Sequence, residues 1–246
     1  VCLLGSVLMR GAGCTWNDIT DKDLDAQVAR SKSRPLAAGL VSLQASVIWL
    51  IIQLILSSLL LFTLSWYAIG IGIFSLLLVV IYPFAKRFTW WPQIFLGFAF
   101  NWGILLSWAA YTGSLSMTPV FLYISGIFWT LFYDTIYAHQ DKQDDLMVGI
   151  KSTALRFGEQ TKSWLYLFLL GIIVFNFLTI WLVFLKIDSV FIFGICCLGS
   201  FVMGLHLFFQ IQKLDIHNPE NCLLLFRSNR DTGIIFIVAL CVAVLI

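Results

Sequence analysis

Residues 66–85 read WYAIGIGIFSLLLVVIYPFA, a run of twenty residues without a charged side chain. A helix of that length crosses a bilayer, because each residue adds about 1.5 Å and the hydrocarbon core is about 30 Å thick. Comparable apolar runs recur along the chain, and 60% of its 246 residues are hydrophobic while only 11% are charged. A soluble domain carries roughly a quarter charged residues. We therefore predict an all-α integral membrane protein in contact with a lipid bilayer.

The apolar runs predict about eight spanning helices that form a polytopic bundle, because the intervals between them are polar. The predicted segments are 1–16, 36–62, 66–85, 92–112, 118–138, 163–185, 189–211 and 232–246. We interpret residues 1–246 as a single membrane domain. The chain begins with Val1 and not with methionine, so we expect that a piece of the protein lies upstream.

The charged residues lie mostly on one side of the predicted bundle. Because successive helices alternate in direction, every second link faces the same way, and four such links contain 13 of the 15 lysines and arginines. These links are 17–35, 86–91, 139–162 and 212–231. Positively charged loops stay on the cytoplasmic side, so we predict that this side faces the cytoplasm. A net charge of +2 without a long basic run argues against a nucleic-acid partner.

An acidic cluster follows the first apolar segment. Residues 17–25 read Asn-Asp-Ile-Thr-Asp-Lys-Asp-Leu-Asp. If the helix continues through this cluster, Asn17, Asp21 and Asp25 are four residues apart and lie on one face. Asp18 then lies beside Asp21, three residues away.

A second acidic cluster, residues 141–145, reads Asp-Lys-Gln-Asp-Asp. Together with the end of the preceding apolar segment it predicts a comparable stripe, which consists of Asp134, Tyr137, Asp141 and Asp145. Four helices separate the two clusters, an even number, so the chain has the pattern of a parallel internal repeat with both clusters on the same side.

Carboxylates at this spacing repel each other, and a bound cation removes that cost. Mg²⁺ prefers oxygen ligands and is commonly held by one or two carboxylates together with substrate phosphates. Each cluster is also followed by a basic stretch suited to phosphate oxygens, RSKSRPLAAG at 30–39 and KSTALRFG at 151–158. We therefore predict a Mg²⁺-dependent diphosphate site made of two half-sites. The alternative for either cluster alone is a solvated loop.

Both clusters, with their flanks, resemble the motifs of the UbiA superfamily of intramembrane prenyltransferases. The stretch RGAGCTWNDITDKDLD at 10–25, followed by SRPLA at 33–37, resembles the NDxxDxxxD region of that family. The stretch YDTIYAHQDKQDD at 133–145, followed by GIKSTA at 149–154, resembles its second region, DxxxD. The resemblance covers essentially the whole chain in topology. It implies nine helices, as two four-helix repeats plus one, so that this chain lacks the first.

The resemblance also implies which residues bind the metal and the diphosphate. The metal ligands implied are Asn17, Asp21, Asp25, Asp141 and Asp145. Residues that match the motifs and support these ligands or the substrate are Asp18 and Asp134. Cations implied to contact the diphosphate are Lys142 and Lys151.

The reaction implied is the transfer of a polyprenyl group from polyprenyl diphosphate to an aromatic acceptor. The flanks are most similar to members that act on 4-hydroxybenzoate in ubiquinone synthesis, at the carbon ortho to its hydroxyl. Mg²⁺ and basic residues stabilise the departing diphosphate, and the face of Tyr133 or Tyr137 stabilises the resulting carbocation. The catalytic candidates are Asp21, Asp141, Asp145 and Tyr137.

Three further cations are candidates for substrate binding. Arg10 lies within an apolar segment, seven residues before Asn17, and an intramembrane arginine marks a functional site by default. It either binds the carboxylate of the aromatic acid or pairs with an aspartate of the first cluster. Lys86 and Arg87 either bind substrate or anchor the end of their helix at the membrane surface.

Two other functions fit the same pattern less well. Another member of the superfamily uses a naphthoate, haem, chlorophyllide or glycerol-phosphate acceptor. A transporter or channel uses acidic clusters as a cation gate, but it requires charged features near the bilayer midplane, whereas the charge here is collected at one face. For location we predict a bacterial inner membrane, with a mitochondrial inner membrane as the alternative.

Overall fold

The structure is a computed structural model that describes residues 1–28 and 31–245. Every regular element in these two ranges is helical. The α-helices are α1 Cys2–Asp25, α2 Leu43–Leu61, α3 Trp66–Phe88, α4 Pro92–Thr112, α5 Met117–Ala138, α6 Lys142–Val148, α7 Thr153–Phe157, α8 Thr161–Ile187, α9 Val190–Lys213 and α10 Pro219–Leu245. A 3₁₀ turn, Gly158–Gln160, joins α7 to α8.

Eight of these helices have 19 or more residues, whereas about eight spanning helices were predicted. Seven of the eight are long and apolar enough to cross a membrane, namely α2, α3, α4, α5, α8, α9 and α10. The exception is α1, whose last third carries the charges of the first acidic cluster. The chain is therefore an all-α integral membrane protein, as its composition predicts.

The chain divides into two compact units. The first unit contains residues 1–115 and 143–152, and hence the long helices α1 to α4. Within it α1 packs on α2 and α3 packs on α4. Two aromatic side chains join α1 to α3, since Tyr82 donates a hydrogen bond to the Gly13 carbonyl (3.0 Å) and Trp16 donates one to the Val80 carbonyl (3.3 Å). These bonds fix the face that α1 presents to the end of α3.

The second unit contains residues 116–142 and the chain from residue 153 onward, and hence the long helices α5, α8, α9 and α10. Within it α5 packs on α8 and α10, and α9 packs between α8 and α10. The helices approach closely where small residues meet: a Cβ added at Gly199 of α9 would lie 2.2 Å from the Ala239 Cβ of α10. Each unit thus begins with a helix that leads into one acidic cluster.

Two predicted segment boundaries are wrong. The second segment was expected to begin at residue 36, but α2 begins at Leu43, because Gly39 takes a positive φ of 73° that ends a turn. The Ser42 hydroxyl then accepts a hydrogen bond from the Ala45 amide and caps the new helix.

The last segment was expected at 232–246, but α10 already begins at Pro219. Proline is favoured in the first turn of a helix, and the Asn218 side chain accepts a hydrogen bond from the Asn221 amide (3.1 Å). The polar residues 219–231 are therefore helical because local capping and a buried face outweigh their low hydrophobicity.

Candidate functional site

The first acidic cluster lies on the last two turns of α1. The helix runs without interruption to Asp25, which confirms that Asn17, Asp21 and Asp25 share a face. Asp21 is 1% exposed and Asp25 is 8% exposed, while Asp23 is exposed to solvent. A buried carboxylate is costly unless cations or hydrogen bonds compensate it. A solvated acidic loop does not describe this arrangement.

Two cations at the end of α3 approach Asp21. The Lys86 ammonium forms an ion pair with Asp21 Oδ2, and the Arg87 guanidinium lies 3.7 Å from Oδ1. Arg87 also donates a hydrogen bond to the Thr20 carbonyl (2.7 Å). Lys86 and Arg87 therefore face the first acidic cluster. A cation that only anchors a helix at the membrane surface does not need such a contact.

One oxygen of Asp21 has no hydrogen-bond donor. The Oδ1 atom is buried, and no donor in residues 1–28 and 31–245 makes a hydrogen bond to it. Burial raises the pKa of the Asp21 carboxyl above its ordinary value, although the charge and hydrogen bond of Lys86 act in the opposite direction. Lys86 thus compensates the charge of Asp21, while the Oδ1 atom receives no hydrogen bond from the described residues.

Arg34 joins the other two carboxylates of the cluster. Its Nη1 atom lies 2.8 Å from Asp25 Oδ2 and 3.1 Å from Asp18 Oδ1. The segment that carries Arg34 folds back on α1, because the buried Ser31 hydroxyl donates to the Asp25 carbonyl. Burial raises the pKa of the Asp18 carboxyl, and Arg34 opposes that shift.

Sequence reasoning did not assign Arg34 to the site. The signal in the sequence is the position of Arg34 in the basic stretch after the first cluster, and such a stretch indicates a phosphate site without indicating which cation pairs with which carboxylate. Arg30, in the same stretch, lies outside the described residues.

Lys151 lies against the end of α3. Its backbone amide donates to the Lys86 carbonyl (2.9 Å), and its ammonium donates to the Phe88 carbonyl (3.3 Å) and lies 5.7 Å from the centre of the Trp90 ring. Gly149, with a positive φ of 72°, provides the turn that precedes it. The first unit therefore brings Lys151, a predicted diphosphate contact, close to Lys86, a candidate for substrate binding.

Arg10 lies on α1, two turns before the acidic cluster. It is exposed, and its guanidinium lies 5.2 Å from the centre of the Phe100 ring. Within residues 1–28 and 31–245 it forms no ion pair, so the predicted alternative of pairing with an aspartate of the motif is not found. The other alternative, in which Arg10 binds the carboxylate of the aromatic acid, stays a prediction.

The second cluster does not form the continuous helical stripe that was predicted. Asp134 and Tyr137 lie on α5, which ends at Ala138; Asp141 lies in a turn, and Asp145 lies on the short helix α6. A continuous helix would stack like charges, whereas the break places Asp144 and Asp145 in the first turn of α6, where the helix dipole favours negative charge. Lys142 begins this helix.

His139 explains part of the break after α5. Its buried ring makes a 2.9 Å hydrogen bond between Nε2 and the Thr161 hydroxyl at the start of α8. Burial lowers the pKa of His139 to about 4, with smaller contributions from Lys142 and His217. It is therefore a neutral residue that ties the turn to α8.

Aromatic side chains surround the end of α5 in the second unit. The centre of the Tyr137 ring lies 4.4 Å from the centre of the Phe226 ring of α10, and the centre of the Tyr133 ring lies 5.9 Å from the centre of the same Phe226 ring. Tyr133 and Tyr137 are both half-buried. The two tyrosines proposed to stabilise a carbocation therefore belong to one aromatic cluster.

The residues of the first cluster fit Mg²⁺. Asp21 provides a buried oxygen that no donor in the described part of the chain reaches, and Asn17, Asp18 and Asp25 add oxygen atoms at the same end of α1, all of the kind that Mg²⁺ prefers. No group of three or more His, Cys, Asp or Glu side chains converges into a ready metal site within the described ranges. A Mg²⁺ ion held by few carboxylates takes its remaining ligands from phosphate and water, so this donor set is suited to a metal–diphosphate complex.

A sequence model of the UbiA prenyltransferase family matches residues 1–245. Among curated relatives, the mitochondrial 4-hydroxybenzoate polyprenyltransferase of Drosophila melanogaster is 46% identical over 243 residues, which are 98% of this chain and 60% of the relative. That of Homo sapiens is 47% identical over 241 residues, 94% of this chain and 61% of the relative. The chain thus spans about three fifths of the length of these relatives.

Solved structures share the fold. A UbiA homolog from Aeropyrum pernix K1, in its apo form, has a TM-score of 0.77 and 21% identity, and the match covers 98% of this chain and 90% of that one. A UbiA homolog from Archaeoglobus fulgidus bound to GPP and Mg²⁺ has a TM-score of 0.71 and 19% identity, and the match covers 98% and 87%. At these identities the likeness supports the helical architecture alone.

Proposed function

We propose, from the premise that this chain belongs to the UbiA prenyltransferase family, that it transfers a polyprenyl group from polyprenyl diphosphate to 4-hydroxybenzoate. The observation that carries this proposal is the buried Asp21 carboxylate, which lies beside the cations of α3 and has one oxygen that receives no hydrogen bond from the described residues. The carboxylate is suited to the positive metal ion of a metal–diphosphate complex, and the neighbouring cations are suited to its negative diphosphate.

The donor diphosphate binds to the first unit through its cations. Lys86, Arg87 and Lys151 lie around the end of α3, and Arg34 lies at the end of α1. Cationic groups on flexible side chains can exchange a carboxylate for a phosphate oxygen at little cost. The Archaeoglobus fulgidus homolog, which shares the fold, is bound to GPP and Mg²⁺, and the proposal carries this class of donor over to the present chain.

Mg²⁺, held by Asn17, Asp21, Asp25, Asp141 and Asp145, would stabilise the negative charge of the departing diphosphate. Asp18 and Asp134 would orient these ligands, and Lys142 would contact the diphosphate. Arg34 holds Asp18 and Asp25 in place on α1 through its two ion pairs. The proposal makes both acidic clusters part of one prenyltransferase domain formed by residues 1–246.

The chemistry then proceeds in three steps. The allylic C–O bond breaks and the diphosphate leaves with the electron pair, which the cations of the first unit stabilise. The carbocation is stabilised by the faces of Tyr133 and Tyr137, since aromatic rings attract positive charge and apolar surroundings exclude water. The acceptor carbon ortho to the hydroxyl attacks, and loss of its proton restores aromaticity; Asp21, Asp141 and Asp145 are candidates to accept that proton.

The acceptor is proposed from two observations. Relatives that are 46% and 47% identical carry the name 4-hydroxybenzoate polyprenyltransferase. Arg10 is exposed and free of ion pairs among the described residues, and it lies over an aromatic ring, a position suited to the carboxylate of an aromatic acid. The second candidate is a different acceptor within the family, such as glycerol phosphate, naphthoate, haem or chlorophyllide.

The chain is an integral membrane protein, and we propose that it resides in an inner membrane with the charged side facing the cytoplasm or the mitochondrial matrix. The sequence alone favoured a bacterial membrane. The relatives that share 46% and 47% of its residues are named as mitochondrial, which favours the mitochondrial alternative.

An assay of membranes that contain the complete protein tests this function. Radiolabelled polyprenyl diphosphate is incubated with 4-hydroxybenzoate or with each other acceptor, in the presence of Mg²⁺ or of EDTA. We expect a prenylated product with 4-hydroxybenzoate that depends on Mg²⁺. A product only with another acceptor overturns the acceptor assignment, and cation flux through reconstituted vesicles without any product supports a transporter.

A further inference from the structure

A network of polar side chains lies inside the second unit, between α5, α9 and α10. The Asn229 amide donates to the Gln210 side chain (3.0 Å), and its carbonyl oxygen accepts a hydrogen bond from the Trp129 indole (2.9 Å). Gln210 in turn contacts Thr232 and His206. Asn229 is 7% exposed and Gln210 is 3% exposed. Hydrogen bonds between buried amides restrict the side chains that they join.

Trp129 begins a column of aromatic residues on α5. Tyr133 and Tyr137 follow at four-residue intervals, so all three lie on the same face. The centres of the Trp129 and Tyr133 rings are 6.1 Å apart and their planes are perpendicular, and Phe226 of α10 contacts both tyrosines. The aromatic column, defined as Trp129, Tyr133, Tyr137 and Phe226, is therefore a continuous contact chain.

α10 holds the first ring of this column on two sides. Asn229 fixes the indole N–H, and Gly233, one turn later, lies against the other end of the ring. A Cβ added at Gly233 would lie 3.1 Å from Trp129 Cη2, which is closer than an ordinary contact. The position of Trp129 thus depends on both an amide and the absence of a side chain.

A carboxylate lies beside the column on α5. Asp134 is the neighbour of Tyr133 on α5 and is half-buried, like Tyr133 and Tyr137. A carboxylate on a lipid-facing strip of a membrane helix is costly, and such residues face the interior or a polar cavity. The partly exposed strip that carries the column and Asp134 is therefore suited to line the place where the prenyl cation forms.

We propose that Asn229 is a positioning residue for prenyl transfer, which acts through Trp129 to hold the aromatic column against the cation. This inference rests on the proposed function and adds a determinant of its fidelity. After the C–O bond breaks, the cation has two fates: the acceptor carbon forms a C–C bond and loses a proton, or water forms a C–O bond and loses a proton to give polyprenol. A column that is held in place excludes water and favours the first fate.

The test measures the ratio of polyprenol to prenylated product in the complete protein. We expect Asn229→Leu to raise this ratio about fivefold, the factor that corresponds to one hydrogen bond of about 1 kcal/mol. The KM for polyprenyl diphosphate should stay unchanged, because the diphosphate contacts lie elsewhere. Asn176→Leu is the matched control: Asn176 is also buried and accepts a hydrogen bond from Ser125 between α8 and α5, but it makes no contact with the column among the described residues.

Two further variants separate positioning from general damage. Gly233→Ala should raise the ratio as well, because it displaces the same ring without removing a hydrogen bond. In a Trp129→Phe background, which lacks the indole N–H, Asn229→Leu should cause no additional increase. An equal rise in Asn176→Leu, an unchanged ratio in both Asn229→Leu and Gly233→Ala, or additive effects with Trp129→Phe would each overturn the proposal.

The same experiment keeps the two proposals apart. If the unaltered protein gives no Mg²⁺-dependent prenylated product, the proposed function fails, and the positioning role of Asn229 fails with it. If the unaltered protein gives the product but the ratio does not respond to the variants, only the role of Asn229 fails.

Discussion

Asp21 is the residue that distinguishes a binding site from an acidic loop. It is almost fully buried, it is paired with Lys86, and one of its oxygen atoms receives no hydrogen bond from the described residues. A buried ion pair often adds little to the stability of a protein, and removing one partner leaves an uncompensated charge. The presence of such a pair therefore suggests a role other than stability. The reason proposed here is the binding of Mg²⁺ and diphosphate.

Asp21→Asn should abolish most prenyl transfer, with turnover reduced by about 100-fold or more, because an amide neither neutralises the metal nor replaces a preorganised charge. Asparagine keeps the size of the side chain, and the cations left behind, Lys86 and Arg87, are partly exposed to solvent, so the protein should remain folded in detergent. Asp23→Asn is the matched control, since Asp23 belongs to the same cluster but is exposed. Near-normal turnover in Asp21→Asn would remove this carboxylate from the proposed site.

Arg10→Ala should raise the KM for 4-hydroxybenzoate about tenfold, which corresponds to the loss of about 1.4 kcal/mol from one charged contact. The KM for polyprenyl diphosphate should not change. A phenol without a carboxylate provides the control. Its slow prenylation should have the same rate in Arg10→Ala as in the unaltered protein, because it has no carboxylate for Arg10 to bind. An unchanged KM for the acid would assign Arg10 to another role.

The sequence motifs predict which residues belong to the first acidic cluster. They do not predict which side chains form ion pairs with those residues. The spacing of Asn17, Asp21 and Asp25 predicts one helix face, and α1 has that face. The pairing of Asp21 with Lys86 joins residues 65 positions apart, and such a pairing depends on how α1 and α3 pack. The role of Arg34 likewise follows from a chain reversal that no periodicity in the sequence indicates.

The long helices are the elements that the sequence predicts best, because an apolar run of about twenty residues has few other stable structures in a bilayer. Their ends are less predictable. α2 begins late because of a turn at Gly39, and α10 begins early because of capping at Asn218. The break after Ala138 also escaped prediction, because repulsion between carboxylates and the hydrogen bond of His139 decide it.

The packing of α9 on α10 depends on Gly199. A Cβ at this position would lie 2.2 Å from the Ala239 Cβ, an atom that cannot rotate away. Gly199→Ala should therefore destabilise the protein by about 1–3 kcal/mol, the usual cost of an extra methyl group in a packed core. Thermal unfolding in detergent measures the effect.

Gly194 of the same helix is the control for this substitution. A Cβ there meets nothing within 4 Å, so Gly194→Ala should leave the unfolding temperature unchanged or raise it slightly, because alanine favours a helix more than glycine does. Equal unfolding temperatures for the two variants would contradict the close packing of α9 on α10.

At the scale of the whole molecule, hydropathy and charge placement predict a polytopic protein with one charged side. The described structure divides into two units of four long helices, and each unit begins with a helix that leads into an acidic cluster. This organisation agrees with the internal repeat that the two motifs indicate. How the chain is oriented in a membrane follows from its loops and can be measured.

Single cysteines introduced in place of Asp23, His217 and Ser114, in a background without the natural cysteines, should report the orientation. Because positively charged links share one side, a membrane-impermeant maleimide should label the first two positions from one face of sealed vesicles and the third from the other. All three residues are exposed, so access is not limited by packing. Labelling of positions 23 and 217 from opposite faces would contradict the predicted topology.

The most direct test of the central claim is a binding measurement on the complete protein. Mn²⁺, used as a spectroscopic substitute for Mg²⁺, is titrated into the purified protein with an unreactive prenyl thiodiphosphate, and free Mn²⁺ is followed by electron paramagnetic resonance. We expect the two ligands to bind cooperatively, and Asp21→Asn to weaken that binding tenfold or more, about 1.4 kcal/mol or more, while Asp23→Asn does not. Equal binding in Asp21→Asn and the unaltered protein would contradict the assignment of this acidic cluster to a metal–diphosphate site.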